Sequence, residues 1–219
     1  MSTRPWLVLD TSAPVAVVAV VREGEVLGEH TLSETRRHAE SLVDALDRAL
    51  LLAGVTLDEL EGIAVGRGPG SFIGVRTGIA TAKGLALARG LPLVGLPSLL
   101  ALAADPAHPQ GQGLALIDAK RGEVYAQRVV RAGGMTRAVG EPAALAPAAA
   151  AALAEGLDFV VGSGMELSGL RAAQRVARSG PSAAGLAQAL RALVAVGVGD
   201  ETDALVPDYC RAPDAKLPG

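Results

Sequence analysis

The sequence of 219 residues predicts an α/β protein made of two related units. Three observations carry that reading. Strand-like and helix-like apolar patterns alternate along much of the chain, which is the mark of mixed α/β folds. A short apolar run ends on an aspartate twice, at Asp10 and at Asp118, each time followed by a turn and a second apolar run. Between these two copies, the glycine-rich stretch from Gly66 to Gly90 joins a strand directly to a helix.

The elements follow in order. Trp6 to Leu9, Val15 to Val21 and Val26 to Leu32 are three strands, with a turn at Arg22–Glu25, and their close spacing makes them an antiparallel meander. A helix is expected from Arg36 to Ala53. Its apolar residues Ala39, Leu42, Val43, Leu46, Ala49, Leu50 and Ala53 recur at three and four, Gly54 closes it, and Ser33 or Thr35 can cap it. After a Thr56-led helical turn come a strand over Leu60–Val65, the loop Gly66–Gly70, a helix over Ser71–Arg89, a strand over Leu91–Leu96 and a helix opening at Ser98.

The second copy starts with a strand over Gly113–Ile117 that closes at Asp118. The turn Ala119–Gly122, a strand over Glu123–Arg131 and a turn at Gly133-Gly134 come next. An Ala-rich helix spans Ala143–Ala154, interrupted by Pro147, because proline removes a helical donor. Phe159–Gly162 is a strand, Ser182–Val196 a helix, and a Pro-rich tail runs from Pro207. The lobes divide into residues 1–105 and a smaller 106–219.

Composition narrows the function. The chain is 50% hydrophobic but only 2% aromatic, so its core is aliphatic. A net charge of −3 argues against holding nucleic acid unaided, since phosphate neutralisation needs a cationic surface. The single Cys210 rules out an internal disulfide and a thiolate zinc cluster. Every apolar run falls short of the roughly 20 residues a membrane span needs. Asp10 interrupts what would otherwise resemble a signal peptide, so a cytoplasmic protein without a membrane is expected.

Two motifs carry candidate chemistry. Asp10-Thr11-Ser12, an aspartate and two hydroxyls at a strand end, can hold a metal–phosphate group or simply close a turn. The Gly66–Ser71 loop lacks the lysine of a P-loop and the third glycine of a dinucleotide fingerprint, so phosphate binding competes with a tight strand-to-helix connection. The following helix places Gly70, Gly74, Gly78, Ala82 and Ala86 at steps of four, which share one face. Gly74, Gly78 and Gly84 each cost about 1 kcal/mol against Ala, so a close neighbour must compensate. That neighbour is either a segment of the same chain or, the favoured reading, a partner protein. Ser71 serves as the helix cap. His30, His38 and His108 are scattered without ligand spacing, and no acid, base and nucleophile assemble.

At Gly66-Arg67-Gly68-Pro69-Gly70-Ser71-Phe72, with Gly74, Arg76, Gly78, Ala82 and Gly84-Leu85-Ala86, the chain resembles the TsaB (YeaZ) family of bacterial tRNA-modification proteins. LVLDTSAPVAVVAV, LALIDAKRGEVYAQRV and Pro207-Asp208-Tyr209-Cys210-Arg211 agree in the same order. The resemblance implies an ASKHA fold, as in actin and sugar kinases, with two lobes of duplicated βββαβα ancestry. It implies a scaffold in threonylcarbamoyladenosine synthesis on tRNA, with no cofactor, no metal and no catalytic residue of its own. A TsaD-type catalytic subunit is the expected partner, a TsaE-type ATPase joins it, the isolated chain pairs as a homodimer, and tRNA is met indirectly. His38, Leu42, Leu46, Ser71, Gly74, Arg76, Gly78 and Ala82 are the expected partner interface, with Asp10, Thr11 and Ser12 a vestigial phosphate loop. Ser98 and Leu102 stand where the catalytic sister carries its H-x-x-x-H metal ligands, and leucine cannot coordinate a metal. The competing reading is an autonomous ASKHA enzyme, either ATP-binding or a glycoprotease-like metallopeptidase.

Overall fold

The computed structural model describes residues 4–32, 39–164 and 170–210. The first sheet comprises β1 (Trp6–Asp10), β2 (Ala16–Arg22), β3 (Glu25–Leu32), β4 (Gly62–Gly68) and β5 (Leu93–Pro97), in the order β3-β2-β1-β4-β5. The second comprises β6 (Gly111–Lys120), β7 (Glu123–Ala132), β8 (Met135–Leu145), β9 (Phe159–Gly162) and β10 (Gln174–Ala177), in the order β10-β9-β6-β7-β8. Read from the other edge, the second order repeats the first. In both, the central strand pairs antiparallel with its successor and parallel with the fourth strand of the unit. This is the duplicated two-lobe ASKHA architecture.

Helices α1 (Ala39–Ala53), α2 (Phe72–Arg89), α3 (Ser98–Ala103), α4 (Pro147–Ala154) and α5 (Ala183–Ala195) cover the sheets. Alternation in β1 decides what they cover, because successive strand residues face opposite sides. Leu7 and Leu9 join Leu42, Leu46, Val75 and Ile79 beneath α1 and α2. Val8 points the other way, into a cluster with Leu186, Ala187 and Leu190 of α5. On the second sheet, Leu114 and Leu116 meet Ala150 and Ala154 of α4, while Ala115 and Ile117 meet Leu99 and Leu102 of α3. Helices α3 and α5 therefore lie between the two sheets. Although α5 follows the whole second sheet along the chain, it completes the core of the first.

Several expectations shift. The helix expected from Arg36 is described from Ala39 onward, residues 36–38 lying outside the described set. Strand β4 continues through Gly68, which shortens the expected glycine loop to Pro69-Gly70 before the Ser71 cap. Pro147 does not interrupt a helix. It starts α4, where its missing N–H costs nothing. The alanines before it, Ala143 and Ala144, belong to β8, and neither β8 nor β10 was foreseen. Among the described residues, no helix is long and apolar enough to cross a membrane.

Leu186 is fully buried against Val8, Ala64 and Val94. Leu186→Ala is expected to cost about 2–5 kcal/mol of unfolding free energy, whereas Val196→Ala, at a residue 77% exposed, should change little. Urea denaturation of both variants checks this.

Candidate protein-docking interface

Strand β1 ends at Asp10 beside the parallel strand β4, and α2 starts just beyond β4, so the Asp10–Ser12 turn meets the first turns of α2. The Ser71 hydroxyl accepts from the Gly74 N–H at 3.2 Å, which caps the helix, and the Ser71 N–H donates to the Ser12 carbonyl at 2.7 Å. Thr11 Oγ1 donates to the Gly74 carbonyl at 2.7 Å. A Cβ at Gly74 would run into the Thr11 carbonyl oxygen, and one at Gly78 into the Thr11 hydroxyl. The bare strip of the helix is thus filled from within the chain.

The expected interface is corrected accordingly. Gly74, Gly78 and Ala82 are buried on the strip, and Leu42 and Leu46 are buried in the core beneath α1. None of these five is available to a partner, because the small residues were spent on close approach of the chain's own backbone. Ser71 is partly buried as the cap, Arg76 is exposed, and His38 lies outside the described residues.

Asp10, Thr11 and Ser12 are likewise buried, and their polar groups are turned inward. Asp10 Oδ1 accepts from the Ser12 N–H at 2.8 Å and from its hydroxyl at 2.6 Å. Asp10 Oδ2 accepts from the Ser98 hydroxyl at 2.6 Å, and Ser98 Oγ accepts from the Gly68 N–H at 3.1 Å. Gly66 passes so close that a Cβ there would strike Asp10 Oδ2. The turn expected as a vestigial phosphate loop forms a closed seam joining β1, β4 and the start of α3. Leu102, at the second position compared with the sister's metal motif, is buried among Ala115, Ile117 and Phe159. At the matching turn of the second sheet, burial pushes the Asp118 carboxyl up. Its contacts with the ammonium of Lys120 (2.9 Å) and the Lys120 N–H outweigh that and hold it below the usual value.

The outward side of α2 is different. Phe72 is 58% exposed, Ile73 75% and Leu87 70%, with Arg76, Ala80 and Gly84 on the same side. Their spacing of three and four residues makes one continuous face. On the same side of the sheet, α1 exposes Leu51 and Leu52. Off-strip residues therefore divide: Val75 and Ile79 enter the core, while Phe72 and Leu87 point to solvent. Large exposed apolar side chains grouped on one face are the signature of an interaction surface.

This face is braced by the Pro207–Cys210 segment. The Arg76 guanidinium lies 3.6 Å from the Phe72 ring centroid, and its Nε donates to the Tyr209 hydroxyl at 2.9 Å. The next anchor is Asp208, whose N–H donates to the Arg67 carbonyl at 2.8 Å and whose carboxylate sits 3.0 Å from the Arg67 guanidinium. Burial pushes the Asp208 carboxyl up despite Arg67, with Glu141 adding to the rise. Behind the segment is a cavity of about 350 Å³ reached by Arg67, Pro97, Gln127, Glu141 and Cys210. The Cys210 thiol is pushed up to about 11 by burial and by Asp208 and Glu141, so it stays protonated and unreactive at neutral pH. Nothing in the spacing of the sequence signalled that Tyr209 reaches Arg76.

Comparison with known proteins shows the family. The family model for TsaD, the tRNA N6-adenosine threonylcarbamoyltransferase, matches residues 25–180. An uncharacterised protein of Mycobacterium tuberculosis is 37% identical over 212 residues, which is 96% of this chain and 93% of that protein. The tRNA threonylcarbamoyladenosine biosynthesis protein TsaB of Escherichia coli is 38% identical over 121 residues, covering 54% of this chain and 52% of its own length. Among solved structures, YeaZ from Pseudomonas aeruginosa aligns with a TM-score of 0.80 at 31% identity, covering 94% of this chain and 99% of that one. A further Pseudomonas aeruginosa protein, described by its similarity to peptidase YEAZ, aligns at 0.84 with 32% identity over 95% of this chain and all of its own.

Two glycines of α2 separate the seam from the outer face. Gly74→Ala is expected to destabilise the fold by about 1–3 kcal/mol, because the added methyl must displace Thr11. Gly84→Ala, with open space around its Cβ, should stabilise by up to about 1 kcal/mol. Thermal unfolding of the two single variants reads the difference.

Proposed function

Because the chain belongs to the TsaB (YeaZ) family, we propose that it is the partner subunit of a threonylcarbamoyl-transferase assembly acting on tRNA, and that it docks a TsaD-type catalytic subunit through the outward face of α2. The observation that carries this is the row Phe72, Ile73, Ala80 and Leu87, exposed and apolar on the side of α2 opposite its buried strip. Leu51 and Leu52 of α1 are exposed apolar residues on the same side of the sheet. The row replaces the buried glycine strip as the contact surface, while Arg76 stays in the interface as the residue that fixes Phe72.

The reading treats the subunit as non-catalytic. The Asp10 carboxylate is bonded to Ser12 and Ser98 and lies within a buried seam, and Leu102 supplies no ligand atom. A TsaE-type ATPase joins the assembly in the same reading, and tRNA is met through the catalytic subunit. An isolated chain covers its α2 face by pairing with a second copy, so homodimer and heterodimer exclude one another. Work on tRNA places the protein in the cytoplasm.

The double variant Ile73→Glu, Leu87→Glu puts two charges onto the row without touching the core. It is expected to keep the thermal unfolding of the parent, to fail to co-elute with the catalytic subunit on size exclusion, and to lower reconstituted tRNA modification at least about tenfold, the loss that removing about 1.4 kcal/mol of docking energy produces. Co-elution of the variant with the partner would overturn the assignment of the face.

A further inference from the structure

Among the described residues the chain crosses between the lobes twice, through residues 104–110 and through residues 178–182. The two crossings are tied to each other: the Ser182 hydroxyl donates to Asp105 Oδ2 at 2.6 Å, and the same hydroxyl accepts from the Gly185 N–H at 3.0 Å, capping α5. Asp105 also turns its own segment, accepting from the Ala107 N–H at 2.8 Å, and its carbonyl accepts from the His108 N–H at 3.0 Å. Arg131 of β7 donates to the His108 carbonyl and pins the first crossing to the second sheet.

Within this knot His108 is 5% exposed, and apart from the nearby Ala103 carbonyl, which makes no well-formed bond to the ring, neither ring nitrogen has a hydrogen-bond partner. An unbonded polar ring in the interior is costly, of order 1–3 kcal/mol, and its charged form costs far more. The charges facing it are Asp105 on its own segment, Arg131 from β7 and Arg178 from the second crossing. A proton on the ring would face two cations and one anion that is already committed to Ser182 and Ala107.

We propose that His108 is a proton-sensitive catch on the two lobe crossings: uncharged, it lets Asp105 hold Ser182 and the cap of α5, and charged, it draws Asp105 away and loosens both crossings. Burial, aided by Arg131 and Arg178, pulls the imidazole below its usual value, outweighing Asp105 and the Ala103 carbonyl, which raise it. The unfolded or opened chain then takes the proton first. The stabilisation is therefore complete above about pH 6.5 and is lost as the pH falls toward the lower folded value. Burial pushes Asp105 up, but its bonds from Ser182 and Ala107 and the charges of His108 and Arg178 outweigh this and hold it low. It stays ionised throughout that window.

Hydrogen exchange of the full chain at pH 7.5 and pH 5.5, corrected for intrinsic rates, tests the catch. Protection in residues 104–110 and 178–185 should fall by up to about tenfold at the lower pH, the limit set by one pH unit below the free imidazole value. His108→Gln should remove that response, while His30→Gln should keep it. An unchanged pH response in His108→Gln overturns the proposal. Should that variant fail to fold, the wild-type His108 ring followed by NMR decides: a midpoint below the usual histidine value supports the catch, and a midpoint at or above it refutes it.

Discussion

Thr11 can donate to the carbonyl of Gly74 only because α2 carries no side chain on that side. The approach of these two backbones sets where α2 begins, how it lies over the first sheet, and which of its residues are left facing outward. The cost is visible in the sequence as glycines placed within a helix, and the return is a buried hydroxyl-to-carbonyl bond together with the core contacts of Val75 and Ile79. Which residues of α2 meet solvent follows from that placement. With Gly74 and Gly78 turned inward, Ile73 and Leu87 have nowhere to go but solvent.

Much of this was legible in advance, and the exceptions have physical causes. The three strands, α2 with its Ser71 cap, α5 and the Asp10–Asp118 duplication all rest on local patterns of apolar spacing and turn residues, which need no knowledge of neighbours. The occupant of the glycine strip does not. Steps of four say that a backbone comes close, and they are silent on whether it comes from Thr11 or from another protein. The short β10, QRVA, is mostly exposed and pairs only with β9, so it shows no apolar alternation. The later part of β8, GEPAAL, carries a glycine and a proline that read as loop, and its alanines suit a helix as well as a strand. Pairing with β7 overrides both signals.

The site was half legible for the same reason. Arg76 was picked out by the motif it sits in, and it is exposed and stacks on Phe72 within the face proposed for docking. Leu42 and Leu46 follow the apolar period of α1, and that period describes the buried side of a helix, not the free one. An interface read from periodicity alone will therefore tend to name core residues. The two lobes also differ in length: residues 163–173 separate β9 from β10, whereas the 18-residue α2 lies between β4 and β5.

The return of α5 to the first sheet has a consequence for how the protein is made. During translation the strands around Val8 and Val94 emerge early, yet one side of that sheet stays uncovered until Leu186 and Leu190 have been synthesised. A ribosome-bound chain that stops short of α5 presents a sticky, half-finished sheet to the cell. Until then the growing chain carries the kind of transiently exposed apolar surface that makes incomplete folds prone to aggregate.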